Sequence, residues 1–97
     1  MIVYSLADIT GDGSAHSLVA AGVPNQAAWV QIGALSTNLS SGRWGDANIG
    51  ANRGMPLGAG YQQLIPTHPS DQTQVYSLNQ IYYYLASGDK LAVVYAI

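Results

Sequence analysis

The sequence contains little charge and no cysteine. Three of its 97 residues are Lys or Arg and five are Asp, and glutamate is absent. Charged residues make up 8% of the chain, against roughly 25% of an average soluble domain. The lack of cysteine excludes disulfides, thiolate metal sites and thiol nucleophiles. No apolar run is long enough to cross a membrane, and the first residues lack the basic region of a signal peptide.

These absences limit the classes of partner. A chain of this size builds one core, so residues 1–97 are expected to form a single domain. The net charge of −2 leaves no basic stripe to neutralise phosphates, which argues against nucleic acid, and nothing indicates a membrane. A surface with so few charges is typical of a surface that is covered by another protein. It therefore predicts that the chain associates with itself. We expect the chain to be cytoplasmic when it is made.

The 11 glycines and four prolines are spread along the chain at intervals typical of turns. Together with the missing glutamate, this pattern disfavours helix and predicts an all-β fold. Period-two alternation indicates about seven or eight short antiparallel strands, which fit one β-sandwich, either jelly-roll-like or Greek key, or a small barrel. The predicted strands are Met1–Thr10, Ser14–Ala21, Ala27–Ser36, Arg43–Asp46, Ile49–Met55, Tyr61–Ile65, Ile81–Ala86 and Leu91–Ala96.

Three local features refine this prediction. The Asp12-Gly13 pair predicts a hairpin turn, and Ser87–Lys90 predicts a second hairpin that joins the last two strands. Residues 67–74 are predicted to form a loop, and residues 75–79 one helical turn. The segment 1–10 is apolar on both faces and is expected to be an edge strand or arm covered by a neighbouring molecule.

The sequence offers no complete catalytic or ligand motif. Asp8 to Gly13 resembles the start of a calcium loop, but the position that needs a bidentate carboxylate is Val19. His16 and His68 are too few for a zinc site and have no G-x-S-x-G partner. The glycine-rich segment 54–60 lacks the lysine of a phosphate-binding loop. We therefore predict no enzymatic activity, no metal and no cofactor.

Aromatic residues and arginines are the remaining candidates for contact with a partner. Alternation places Tyr83 toward the core and Tyr82 and Tyr84 outward, where tyrosine offers a large rigid contact area. Arg43 and Asp46 are predicted to pair beside Trp44. The alternative function is sugar stacking on the tryptophans and outward tyrosines of a carbohydrate-binding module. The predicted partner-binding residues are Ile2, Tyr4, Trp29, Arg43, Trp44, Arg53, Tyr82 and Tyr84.

The order of several short motifs resembles small virion structural proteins of tailed bacteriophages. The motifs are Gly42-Arg43-Trp44-Gly45-Asp46, Asn52-Arg53-Gly54-Met55-Pro56-Leu57, Leu64-Ile65-Pro66, Tyr76-Ser77-Leu78-Asn79-Gln80-Ile81-Tyr82 and Ser87-Gly88-Asp89-Lys90-Leu91. The resemblance runs from about residue 14 to residue 95 and implies a β-sandwich with no catalytic role.

By that resemblance, the chain is expected to be a capsid decoration (cement) protein on the outer surface of the phage head. A tail or head accessory protein is the alternative within the same class. The implied partners are the major capsid protein and neighbouring copies of the chain, with a trimer favoured because it suits a capsid three-fold axis.

Overall fold

A computed structural model of the chain describes residues 2–65 and 76–97. Strands dominate these residues, and the helical content is two short 3₁₀ turns, Leu18–Ala21 and Leu78–Gln80. The all-β prediction is therefore confirmed. No helix in the described part of the chain has the length and apolar character needed to cross a membrane. The strands are β1 (Val3–Ser5), β2 (Ile9–Thr10), β3 (Ala15–Ser17), β4 (Gln26–Ala27), β5 (Trp29–Ala34), β6 (Gly42–Gly45), β7 (Met55–Leu57), β8 (Gln62–Ile65), β9 (Tyr76–Ser77), β10 (Tyr82–Tyr84) and β11 (Lys90–Ala96).

The strands form two main antiparallel sheets. The five-stranded sheet has the order β1-β11-β5-β8, and β2 also pairs with β11. The four-stranded sheet has the order β3-β10-β6-β7. A short ribbon of β4 and β9 completes the described pairings. Most consecutive strands therefore lie in different sheets, and the chain crosses repeatedly from one to the other.

Strand β5 is central in the five-stranded sheet, as its alternation predicts. Val30, Ile32 and Ala34 are buried, while the residues between them are partly exposed. Side chains alternate between the two faces of a strand, so a period-two pattern reports which face is buried. Strand β11 lies beside β5 over six paired residues and adds its own apolar side chains to the same face.

Both sheets contribute to one hydrophobic core. Leu18 and Leu78 of the two 3₁₀ turns are fully buried in it, which closes one part of the core with helical rather than extended backbone. The remaining buried members are Val23, Ala27, Val30, Ile32, Ala34, Leu57, Ile65, Tyr83, Leu85, Leu91 and Val93.

The predicted hairpin between Ile81–Ala86 and Leu91–Ala96 is wrong. β10 belongs to the four-stranded sheet and β11 to the five-stranded sheet, so Ser87–Lys90 is a crossing between sheets. The segment after β2 occupies the space at this crossing: Gly11 N–H donates to the Asp89 carbonyl (2.7 Å), and Gly88 N–H donates to the Gly11 carbonyl (3.2 Å). The residues Ser87–Lys90 suit either a hairpin or a crossing between sheets. The hydrogen bonds with Gly11, which is distant in sequence, favour the crossing.

The predicted hairpin at Asp12-Gly13 is also wrong. Gly13 has the positive φ of a tight turn (79°), but β2 and β3 lie in different sheets. The predicted strand Ser14–Ala21 stops after Ser17, because the Ser17 hydroxyl accepts a hydrogen bond from Val19 N–H and caps a 3₁₀ turn. Serine at this position thus favours the helical turn over a longer strand.

The middle of the chain follows the prediction in part. β8 lies within the predicted strand Tyr61–Ile65. β6 begins and ends one residue before the predicted strand Arg43–Asp46. Residues 49–54, however, form a loop with a single bridge between Gly50 and Arg53 rather than a strand. The predicted loop at residues 67–74 and His68 lie outside the described residues.

Candidate functional site

The predicted partner-binding residues separate into two groups, one on each main sheet, and each group is divided between the two faces of its sheet. On the five-stranded sheet, Trp29 lies on the face opposite Ile2 and Tyr4. On the four-stranded sheet, Trp44 lies on the face opposite Arg43, Tyr82 and Tyr84, and it lines a cleft with Arg53 of loop 46–54. The structure therefore does not bring the eight residues together into one site.

Strand β1 forms an edge of the five-stranded sheet and is largely exposed. Ile2 and Ile97 exchange two backbone hydrogen bonds of 3.0 Å, which fixes the register of β1 on β11. The rings of Tyr4 and Tyr95 stack across this pairing, with centroids 5.3 Å apart and planes 21° from parallel. Ile2 is 61% exposed and Val3 56% exposed, so apolar side chains face solvent along this edge.

Trp29 lies on the face of the same sheet that points away from the core. The register aligns Val3, Ala96 and Trp29 across three neighbouring strands. Further along this face, an open groove of about 320 Å³ passes over Gly33 and Ala92, where the sheet has the smallest side chains. Gln31 Nε2 donates to Gln62 Oε1 (2.7 Å) and bridges β5 and β8 beside the groove.

Loop 46–54 builds a second cleft beside the four-stranded sheet. Ile49 packs where Gly45 and Gly54 have no side chain, and a Cβ at either glycine would lie 2.8 Å from Ile49 Cγ2. Arg43 Nη1 donates to the Gly54 carbonyl (2.8 Å) and holds the end of the loop. The cleft is open, has a volume of about 340 Å³ and is lined by Trp44, Gly45, Asp46, Ile49, Arg53, Gly54 and Met55.

The predicted ion pair between Arg43 and Asp46 does not form. Residues three apart on a strand point to opposite faces, so the guanidinium of Arg43 turns to Gly54 instead. Asp46 ends the strand and accepts a hydrogen bond from Asn48 N–H (3.0 Å). Within the described part of the chain, the one contact at salt-bridge distance joins Asp12 and His16 (2.7 Å), and it is an ion pair only when His16 is protonated.

The tyrosines of β10 alternate as predicted. Tyr83 is buried, and Tyr82 and Tyr84 are half-buried on the opposite face, where Tyr84 lies beside Arg43 in the strand register. Burial raises the pKa of Tyr83 above its usual value of 10, and the nearby charge of Asp12 adds to this effect. Tyr83 is therefore a neutral core residue, and the outward face of β10 presents Tyr82 and Tyr84.

The Asp12 carboxylate has protein partners at both oxygens. Oδ1 accepts from Ser14 N–H (2.9 Å), and Oδ2 lies 2.7 Å from His16 Nε2. The hydrogen bond with His16, and after it the one from Ser14, lowers the pKa of Asp12 below 3.8. Among the described residues no cluster of three or more His, Cys, Asp or Glu is arranged to hold a metal ion.

The Asp12–His16 contact predicts a small acid-dependent contribution to stability. A carboxyl whose pKa is lowered on folding stabilises the fold above its unfolded pKa, and the contribution disappears as the pH falls from about 3.8 through the folded value. We expect H16A to raise the pKa of Asp12 toward 3.8 without reaching it, because Ser14 N–H still donates. Carboxyl-carbon NMR titration of wild type and H16A measures this change, and identical titrations would contradict it.

The sequence prediction missed an exposed apolar residue on a rigid turn. Leu39 is 94% exposed, and its backbone N–H donates to Asp89 Oδ1 (3.0 Å) while Ser40 N–H donates to Asp89 Oδ2 (3.1 Å). The Asn38 side chain adds two hydrogen bonds of 2.8 Å to the backbone of Lys90. The sequence signal for this exposed residue was a single leucine within the polar segment 37–42. The hydrogen bonds that hold its turn come from residues about fifty positions away, so no pattern near Leu39 could predict them.

These observations define a small all-β protein with two antiparallel sheets. No protein-family model, curated protein or solved structure matches the chain.

Proposed function

We propose that this chain is a non-enzymatic structural protein of a bacteriophage virion, a capsid decoration protein that binds the outer surface of the head. The observation that carries the proposal is the exposure of large apolar side chains on a chain with eight charged residues. Such a surface favours protein–protein contact over life as a dispersed monomer. The exposed large apolar residues are Ile2, Val3, Tyr4, Leu39, Met55, Tyr61 and Ile97.

The sandwich type that we propose is a jelly roll. The support is the order of the strands in the two main sheets. If β1 and β2 are counted as one strand and the β4–β9 ribbon is left out, eight strands remain. Numbered along the chain, they have the order 1-8-3-6 in one sheet and 2-7-4-5 in the other. This order matches that of a jelly roll, in which most consecutive strands lie in different sheets. Jelly rolls occur in viral capsid proteins and in lectins, so the architecture agrees with the proposal without identifying the function.

The proposed mechanism is the addition of many weak contacts. A preformed module loses little conformational entropy on binding, and copies bound across joints between major capsid proteins would oppose separation of those joints. Contact with neighbouring copies, as a trimer or another closed oligomer, would add avidity without high affinity at any single site. Leu39 suits this role because the hydrogen bonds of Asp89 hold its turn before any partner binds.

The test is to purify particles assembled with and without the gene for this chain. We expect the chain in a constant ratio to the major capsid protein, and we expect particles that lack it to release DNA at a lower temperature until purified chain is added back.

L39S should reduce occupancy on the particle. S40A is the matched control, because it changes the same turn and keeps the backbone hydrogen bond to Asp89. Absence of the chain from purified particles contradicts the proposal, and a tail position in a particle map would instead indicate an accessory protein.

The cleft beside Trp44 favours carbohydrate binding as the second candidate function. It places part of an indole ring near an exposed carboxylate and guanidinium, Asp46 and Arg53, which is the combination of stacking and polar groups that sugars require. A glycan array decides between the candidates. Binding that R53A abolishes while stability is unchanged would support the lectin function, and an array without hits would remove it.

A further inference from the structure

Within residues 2–65 and 76–97, no strand pairs with the outward side of β1. Residues 2 and 97 exchange backbone hydrogen bonds, and Leu6 N–H donates to the Val93 carbonyl (3.0 Å). In an antiparallel ladder, hydrogen-bonded and non-hydrogen-bonded pairs alternate, so Ile2, Tyr4 and Leu6 bond to β11. The N–H and C=O groups of Val3 and Ser5 therefore point away from β11, along the edge of the sheet.

Residues 2–6 of this edge lack the features that usually prevent pairing with another strand, and the one-residue shift of register against β11 comes after them, between β1 and β2. Residues 2–6 contain no charge, no proline and no glycine. Protected edges carry lysine, proline or a bulge, and β7, at an edge of the other sheet, contains Pro56. Strand β1 is thus an uncharged extended strand with its polar backbone groups directed outward.

We propose that β1 pairs antiparallel with β1 of a second copy of this chain about a two-fold axis that passes beside Tyr4. An antiparallel pair of identical strands is self-complementary, which is the requirement of an isologous interface. The inference names the partner and surface of the self-association in the proposed function and rests on that part of it alone.

The outward groups select one register of this dimer within residues 2–6. Val3 opposite Ser5 of the second copy is the register in which both outward residues of each β1 pair with each other, and Tyr4 then lies opposite its own counterpart in a non-hydrogen-bonded pair. Ile2 then lies opposite Leu6 of the second copy. Each cross-strand pair is uncharged, and the stacked Tyr4 and Tyr95 of each copy extend into a row of four tyrosines.

The same register places the two five-stranded sheets side by side as one continuous sheet. The pairing closes after two copies, because each has one β1 edge to contribute. A two-fold dimer is therefore expected in solution, whereas the resemblance to virion proteins favours a trimer.

A charge exchange at positions 3 and 5 tests the register. In V3K/S5K, lysines face each other across the two-fold axis, and like charges directly opposite one another are destabilising. In V3K/S5D, each introduced lysine faces an introduced aspartate of the other copy. We expect wild type to dimerise as its concentration rises from about 10 µM to about 1 mM, a range that corresponds to weak but specific association. V3K/S5K should weaken the dimer at least tenfold, and V3K/S5D should restore it.

Amide exchange of the wild-type chain gives a second measurement that needs no substitution. The amides of Val3 and Ser5 should become protected as the concentration rises, while the amide of Tyr4 is protected throughout because it bonds to β11. This measurement decides the question if V3K/S5K does not fold, which thermal unfolding of the variant would reveal.

Three outcomes would overturn the inference. A wild-type chain that stays monomeric at about 1 mM has a dimer Kd well above about 1 mM and excludes the proposed dimer. Self-association that V3K/S5K leaves unchanged places the interface elsewhere. Protection of Val3 and Ser5 only on particles shows that a different protein covers this edge. Because the measurements use purified chain, their failure leaves the proposed binding to the capsid to be judged by the particle experiment.

Discussion

Replacing Asp89 with alanine is expected to lower the free energy of unfolding by about 3 kcal/mol, since hydrogen bonds to a charged group contribute about 1.5 to 3 kcal/mol each. Asp89 is 5% exposed, and its two carboxylate oxygens accept the backbone N–H groups of Leu39 and Ser40. Alanine would leave both N–H groups without this acceptor. Urea unfolding followed by tryptophan fluorescence measures the loss.

The control for D89A is D46A. Asp46 is exposed and accepts a single N–H, from Asn48. Its replacement is expected to change stability by about 0.5 kcal/mol or less, as for most surface substitutions. D89N should fall between the two, because the amide retains one acceptor oxygen. Equal losses in D89A and D46A would show that the carboxylate of Asp89 does not support the turn.

The second large effect is expected at Gly11. A Cβ at this position would lie 2.7 Å from the Ala86 carbonyl oxygen and in direct conflict with the Cβ of Leu85. Neither atom can move by a side-chain rotation, so G11A must shift the backbone where the two sheets meet. Overpacking of this kind costs about 1 to 3 kcal/mol, and we expect the upper end of that range in chemical unfolding.

G50A separates close packing from the general effect of replacing glycine. No atom lies within 4 Å of a Cβ built on Gly50, and its φ is not positive. Alanine there should leave stability unchanged or raise it by about 0.4 to 1 kcal/mol through the unfolded state. A G11A variant as stable as G50A would contradict the close approach of residue 11 to residues 85 and 86.

Burial patterns could be predicted from the sequence, whereas strand partners could not. The alternation in β5 and in Tyr82–Tyr84 follows directly from which face of a strand meets the core. The hairpin predicted across Ser87–Lys90 failed because its turn residues also suit a crossing between sheets. That choice depends on Gly11, which hydrogen-bonds at the crossing although it lies more than seventy residues earlier.

In the candidate site, too, some features could be predicted from the sequence and others could not. Trp44 and Arg53 are predicted contact residues, and the structure places both in one cleft because loop 46–54 folds back over Gly45. Arg43 and Asp46 were predicted to pair, but strand geometry separates them. The exposure of Leu39 could not be predicted, since the residue that holds its turn is Asp89 in another part of the chain.

The position of β11 has a consequence for biosynthesis. This strand is the last in chain order, yet it lies inside the five-stranded sheet, with β1 and β2 on one side and β5 on the other. During translation β1, β2 and β5 emerge from the ribosome long before the strand that joins them. The nascent chain must therefore keep the edges of these strands exposed until β11 has emerged, which makes folding slow for a domain of this size. Chaperone binding to ribosome-bound chains should accordingly persist until β11 has left the exit tunnel.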